Sequence, residues 1–196
     1  VGLVTRHAGR PVGAETVLEQ AAENPFLERF YRNPRAAAFP AQLYFLFQRA
    51  RQLGELRQQD LFAPVRVADY LLDKDRLFAR ITLEDDEYAL YEQVYARLAL
   101  DAPRPDLVVF LQAPVETLLE RIERRGIRYE KLISADYLQR LVEAYTRFFH
   151  QYSDSPLLIV NAGEIDPVGD SRDFDELFEA IRRTRRGRHF FNPVKP

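Results

Sequence analysis

Four short runs of the chain are apolar almost throughout: TVLE (16–19), VRVAD (65–69), DLVVFLQ (106–112) and PLLIVN (156–161). Val, Leu and Ile dominate them, as in strands covered on both faces, so the pattern predicts four buried parallel strands. Between these runs the apolar residues recur at helical spacing. Over 36–57, Phe39, Leu43, Leu46, Phe47, Ala50 and Leu53 form an amphipathic stripe. Pro40 is expected to start or kink that helix. Further helices are predicted at 84–98, 114–125, 134–152 and 172–184. Strands alternating with helices specify an α/β fold, a parallel sheet flanked by helices in three layers. The closing stretch GRHFFNPVKP reads as an irregular tail docked by its two phenylalanines.

In such sheets, ligands bind beyond the carboxyl ends of the strands. The first run ends in Glu19 and the second in Asp69, so two carboxylates reach one edge of the sheet. Each can cap the helix that follows. Alternatively, one carboxylate accepts a hydroxyl proton and the other holds magnesium through oxygen. Past the third strand, LLERIERRGIRYEKLIS (118–134) gathers Arg121, Arg124, Arg125, Arg128 and Lys131 around Gly126. A solvated helix face explains this cluster, and so does a polyanion such as a polyphosphate. Arginines there would neutralise charge on a transferring group.

Composition narrows the classes. The chain has 196 residues, 46% hydrophobic and 30% charged, with formal net charge -2. That suits one soluble domain with a core of its own and argues against a general nucleic-acid binder. It contains no cysteine, and His7, His150 and His189 lack metal-ligand spacing. No apolar run approaches a membrane span and no signal peptide is visible, so a cytoplasmic protein is expected.

Four stretches, EQAAENPFLERFYRNP (19–34), FPAQLYFLFQRARQL (39–53), VADYLLDKDRLFAR (67–80) and LERIERRGIRYEKLISADYL (119–138), resemble the deoxyribonucleoside kinases. The bacterial deoxyadenosine/deoxyguanosine kinases are the most similar branch. The likeness runs from about residue 15 to HFFNP, in order and at similar spacing. It implies a P-loop-kinase-like fold, ATP and Mg²⁺ as cofactors, and phosphorylation of a deoxyribonucleoside on its 5′-hydroxyl. A single kinase domain over 1–196 is expected, with a lid at about 121–131. A homodimer is also expected, built on segments 36–57 and 84–98.

Carried over by position, the resemblance makes Glu19 the general base. Tyr31 and Glu130 bind the 3′-hydroxyl, and Gln42 and Arg49 read the base edge. Residues at 42 and 49 leave the same side of a helix, two turns apart, which suits joint recognition of one base. Asp75 matches the acid that partners the arginine in kinases for purines or cytosine, a pair that disfavours thymidine. Phe78 stacks on the base in this reading, although an aromatic at helical spacing also fits a core position. Asp69 is the metal ligand. Arg121, Arg125 and Arg128 hold the triphosphate, their planar forks meeting phosphate oxygens in pairs. One departure is plain: where the family follows its acidic residue with arginine, this chain has Tyr70.

The second departure is the phosphate loop. The chain contains no GxxxxGK[ST], and VGLVTRHAGRPVGAE (1–15) reads as the remainder of the helix that follows such a loop. The family's first strand would run between 65–69 and 106–112, so its absence would leave two inner edges unpartnered. The sequence contains no methionine. Three explanations are open: a piece of a complete kinase, a protein that lacks the loop, or a rearranged N-terminus. The rival reading is a non-catalytic nucleoside- or nucleotide-binding relative. Another P-loop kinase, such as a thymidylate kinase, fits Glu19, Tyr31, Gln42 and Arg49 less well.

Overall fold

A computed structural model describes residues 14–58, 65–98 and 104–193. They fall into two compact units: residues 14–98 with 126–134, and residues 104–125 with 135–193. The expected helical remnant over 1–15 lies outside the described residues up to position 13, and positions 14 and 15 belong to a strand instead. No helix among the described residues is long and apolar enough to cross a membrane.

In the first unit, β1 (Ala14–Val17) pairs in parallel with β2 (Val65–Ala68), Val17 lying opposite Ala68. The intervening chain forms α1 (Leu27–Arg32) and the long α2 (Pro34–Gln58). After β2 come α3 (Lys74–Thr82) and α4 (Asp85–Leu98). Two 3₁₀ turns, Ala21–Glu23 and Glu130–Leu132, complete the unit, and the second lies against α1.

Pro34 opens α2 at the position where a missing N–H costs nothing. The helix starts there rather than at Pro40 and continues past Pro40 on both sides. The predicted apolar stripe overlaps the buried one only in part: Leu46 and Leu53 are buried, while Phe39, Leu43 and Ala50 are half-buried. Phe47 is 52% exposed, whereas Ala38, Gln42, Leu46, Arg49 and Leu53 are buried at steps of four and three. α2 packs against α1, α3 and α4. Ala37, Ala38 and Ala41 are buried and have no bulk to hold the neighbouring backbones apart. α2 therefore buries three polar side chains, Gln42, Gln48 and Arg49, which need partners there.

The second unit holds β3 (Val108–Gln112), α5 (Val115–Arg125), α6 (Ala135–Gln151), β4 (Leu157–Asn161), α7 (Ser171–Arg183) and β5 (Arg188–Phe191). Its sheet has the order β3-β4-β5, all parallel. Successive strand residues face opposite sides, so both faces find a helix. Val109, Leu111, Leu158, Val160 and Phe191 pack with Leu177, Ala180 and Ile181 of α7. Phe110 points the other way and stacks on Phe149 of α6, with ring centroids 4.3 Å apart. Each fully buried aliphatic side chain here contributes about 1.5–3 kcal/mol.

β5 corrects the reading of the end of the chain as irregular. Gly187 adopts φ +71°, which turns the chain after α7, and its carbonyl accepts the Leu157 N–H at 2.9 Å. The Arg188 guanidinium donates to the carbonyls of Phe149, His150 and Tyr152, which the end of α6 leaves unpaired.

Candidate active site

The parallel register of β1 and β2 brings the two strand-end carboxylates together. The Asp69 N–H donates to the Val17 carbonyl at 3.2 Å, and the Glu19 N–H donates to Asp69 Oδ1 at 2.8 Å. Glu19 stands two residues past the end of β1, on a segment tied to α2. Gln52 donates to the Leu18 carbonyl at 3.1 Å and Gln48 to the Gln20 carbonyl at 3.4 Å.

Arg49 is the hub. Its guanidinium donates through one nitrogen to Asp75 Oδ1 and through another to Glu19 Oε1. It lies over the rings of Phe45 and Tyr70, 5.2 and 5.4 Å from their centroids. The Tyr70 hydroxyl donates to Gln52 Oε1 at 2.8 Å. Lys74, the first residue of α3, places Nζ 3.0 Å from Glu19 Oε2 and 5.5 Å from the centroid of Phe78. One compact set of ionic contacts thus joins β1's end, α2 and α3.

The two carboxylates that share Arg49 diverge in acidity. Burial acts to raise the Glu19 pKa, but Lys74 and Arg49 together outweigh it and hold the carboxyl below its usual value. Asp75, wholly buried, is pushed up by that burial, and Arg49 offsets only part of the rise. The same burial pushes the Tyr70 phenol up to about 12. Glu19 is thus held in its ionised form, whereas Asp75 is shifted toward its protonated form.

Gln42 is 4% exposed, and its amide has no hydrogen-bond partner among the described residues. On the 3₁₀ side of the unit, Tyr31 stacks on Tyr129, centroids 6.3 Å apart and rings within 9° of parallel, next to Glu130. Phe78 faces the Lys74 ammonium.

The basic segment divides at Gly126, which adopts the positive φ of +74° expected of a sharp turn. Arg121 and Arg125 belong to α5 in the second unit, while Arg128 and Glu130 belong to the first. Arg121 donates to the carbonyls of Ala162 at 2.6 Å and Ile165 at 3.0 Å. Arg124 makes an exposed ion pair with Asp166 at 3.4 Å. With Thr117, Gly163 and Glu164 these groups line a cavity of about 410 Å³. Arg125 and Arg128 are exposed.

Among the described residues no group of three or more acidic or histidine side chains is placed to cage a metal. Mg²⁺ on a nucleotide needs only one or two carboxylates, the phosphates and water supplying the rest. Asp69 fits that role, with Oδ1 given to the Glu19 amide and Oδ2 left for the metal.

Two members of the site have no counterpart in the motif reading. Lys74 is hidden inside the DKD triplet, where a lysine between two acids passes for surface charge. Tyr91, on α4, is fully buried, and its hydroxyl lacks a partner. Only the packing of α4 against α2 and α3 brings that to light.

Residues 4–184 match the profile of the family described as Deoxynucleoside kinase. The deoxyguanosine kinase of Bacillus subtilis (strain 168) is 34% identical over 165 residues, 83% of this chain and 77% of that one. The deoxyadenosine kinase of Dictyostelium discoideum is 30% identical over 197 residues, 96% of this chain and 76% of that one. Among solved structures, deoxyadenosine kinase from M. mycoides with dCMP and dCDP bound superposes with a TM-score of 0.74 at 26% identity, over 87% of each chain. The same enzyme with dATP bound gives 0.73. With its profile match over most of its length and these relatives, the chain belongs to the deoxynucleoside kinase family and is a kinase.

Proposed function

We propose that the chain transfers the γ-phosphoryl group of ATP to the 5′-hydroxyl of a purine deoxyribonucleoside, deoxyguanosine or deoxyadenosine. The observation that carries this reading is the buried Asp75–Arg49–Glu19 relay. It ties a base-reading side chain on α2 to a carboxylate just past β1. Glu19 accepts the proton of the 5′-hydroxyl as the oxygen attacks phosphorus. Arg49, fixed by Asp75, and Gln42 two turns away meet the edge of the base. Gln42 suits this because its amide both donates and accepts in one plane.

Tyr31 and Glu130 hold the 3′-hydroxyl. Arg121, Arg125 and Arg128 bind the phosphates, and Asp69 holds Mg²⁺, whose charge would offset that of the phosphate oxygens. The Arg49–Asp75 pair speaks against thymidine, and the deoxyguanosine and deoxyadenosine kinases among the relatives speak for a purine.

The test is turnover of the four natural deoxynucleosides with ATP and Mg²⁺ by the full-length protein. Deoxyguanosine or deoxyadenosine is expected to exceed thymidine in kcat/KM by about tenfold or more, the value of one well-placed polar contact. Equal use of thymidine overturns the purine assignment. Glu19→Gln is expected to lower kcat about 10²–10⁴-fold while nucleoside affinity persists. Unchanged turnover removes Glu19 as the base.

A further inference from the structure

The geometry points to Lys74 as a positioning residue for the phosphoryl transfer, one that fixes the Glu19 carboxylate and supplies the cation missing at Tyr70. This rests on the reading of Glu19 as the base. The Lys74 side chain is only 15% exposed, and Nζ is 3.0 Å from Glu19 Oε2. A lysine so far removed from water loses hydration, which an ion pair and a ring face restore in part. The ring is that of Phe78, one turn further along α3, with its centroid 5.5 Å from the ammonium.

Arg49 holds the other oxygen, Oε1, and Asp69 holds the Glu19 backbone N–H. The carboxylate is thus gripped at both oxygens, by cations from two different helices, with its main chain pinned as well. Neither cation alone can stop it from swinging about its last side-chain bonds. Two grips from different directions do so, and a general base works only when its lone pair meets the hydroxyl within hydrogen-bond reach.

Tyr70 explains why this duty falls to α3. Its ring lies under the Arg49 guanidinium and its hydroxyl is spent on Gln52, so position 70 buttresses α2 and brings no charge. Lys74 reaches the same carboxylate from the next element. No sequence feature assigns it a role, because the residues on either side are both aspartates.

The experiment compares kcat, nucleoside KM, nucleoside affinity by calorimetry and melting temperature in the full-length protein. The variants are Lys74→Met, Lys74→Gln, Lys74→Arg, Glu19→Gln and the double Glu19→Gln/Lys74→Gln. Lys74→Met keeps the apolar stem on Phe78 and removes only the charge, so it remains informative if the glutamine variant fails to fold. Loss of the ammonium is expected to lower kcat about tenfold to a hundredfold, as small misplacements of a reacting group do. Nucleoside affinity should stay near that of the parent. Lys74→Arg should recover most of the turnover, and the double variant should be no slower than Glu19→Gln alone.

Parental kcat in folded Lys74→Met overturns the inference while leaving Glu19 as base. So do losses that multiply in the double variant, because a lysine acting through Glu19 has nothing left to position there. A Glu19→Gln variant with full turnover overturns both.

Discussion

Gln42 and Arg49 leave α2 on one side and are 4% and 3% exposed, two polar side chains on the face that packs against the rest of the unit. Burying polar groups on a helix's inner face costs stability unless each is satisfied. Two of the Arg49 guanidinium nitrogens are paired with carboxylates, whereas its Nε and the Gln42 amide have no partner among the described residues. The ion pairs give Arg49 a structural role, and the Gln42 amide is the group proposed to serve the ligand.

Gln42→Leu tests the ligand side. Removing an unmatched amide should leave the melting temperature unchanged or raise it. Deoxynucleoside affinity should fall by the worth of a hydrogen bond, roughly 0.5–1.5 kcal/mol. Thermal unfolding and calorimetry on the same sample check both, and a parallel fall in both would show a structural role.

Arg49→Met tests the structural side. Asp75 is then left wholly buried without its cation, and breaking a buried pair in this way costs about 3–5 kcal/mol. The double variant Arg49→Met/Asp75→Leu should regain much of that stability, because the stranded carboxylate goes with its partner. Arg49→Lys should not restore the parent, since one ammonium cannot span two carboxylates on separate elements. Denaturant midpoints for the four proteins decide this.

Tyr91→Phe concerns the fully buried phenol beside this network. Its hydroxyl meets no partner, and burial raises its pKa well above the usual value. The ring stacks with Tyr88 at 6.2 Å and meets Tyr95 at 6.1 Å, contacts that phenylalanine keeps. Stability should hold or rise by up to about 1 kcal/mol. A drop in melting temperature would mean that the hydroxyl is bonded in solution.

Glu19 sets an acid dependence. Its folded pKa lies below the unfolded value of 4.5, so its contribution to stability is present above that pH and lost as pH falls through the folded value. Asp75 works the other way. Its folded pKa lies above 3.8, so the native state binds that proton more tightly and loses stability as pH rises through the interval. Glu19→Gln should therefore show a shallower fall in denaturant midpoint than the parent between about pH 6 and pH 3. Superimposable slopes would show that Glu19 titrates alike folded and unfolded.

Much of this arrangement is legible in the sequence, for identifiable reasons. All four apolar runs hold parallel strands, but only β3 and β4 are covered as their sequences suggest, since Thr16, Leu18 and Ala68 in or beside β1 and β2 are exposed. Glu19 and Asp69 share an edge because those two strands are parallel. Helices longer than ten residues betray themselves by period. α1 is six residues long and α3 nine, too short to declare a period. β5 hides because three of its four residues face solvent and two arginines precede Gly187, so nothing marks it as a strand until it pairs with β4. The inner face of α2 is only half legible: Leu46 and Leu53 mark it, but alanines and the polar Gln42, Gln48 and Arg49 share it while Phe47 is exposed. Lys74 is invisible for a related reason: its function is set by a residue fifty-five positions earlier.

The bond from the Glu19 amide to Asp69 Oδ1 has an experimental consequence of its own. Alanine at position 69 deletes a candidate magnesium ligand and, in the same stroke, unfastens the backbone that carries the candidate base. Inactivity in such a variant is confounded. Asparagine is the cleaner probe, since it retains an oxygen for the amide and discards the negative charge, so a magnesium titration on Asp69→Asn reads metal affinity with the loop still anchored.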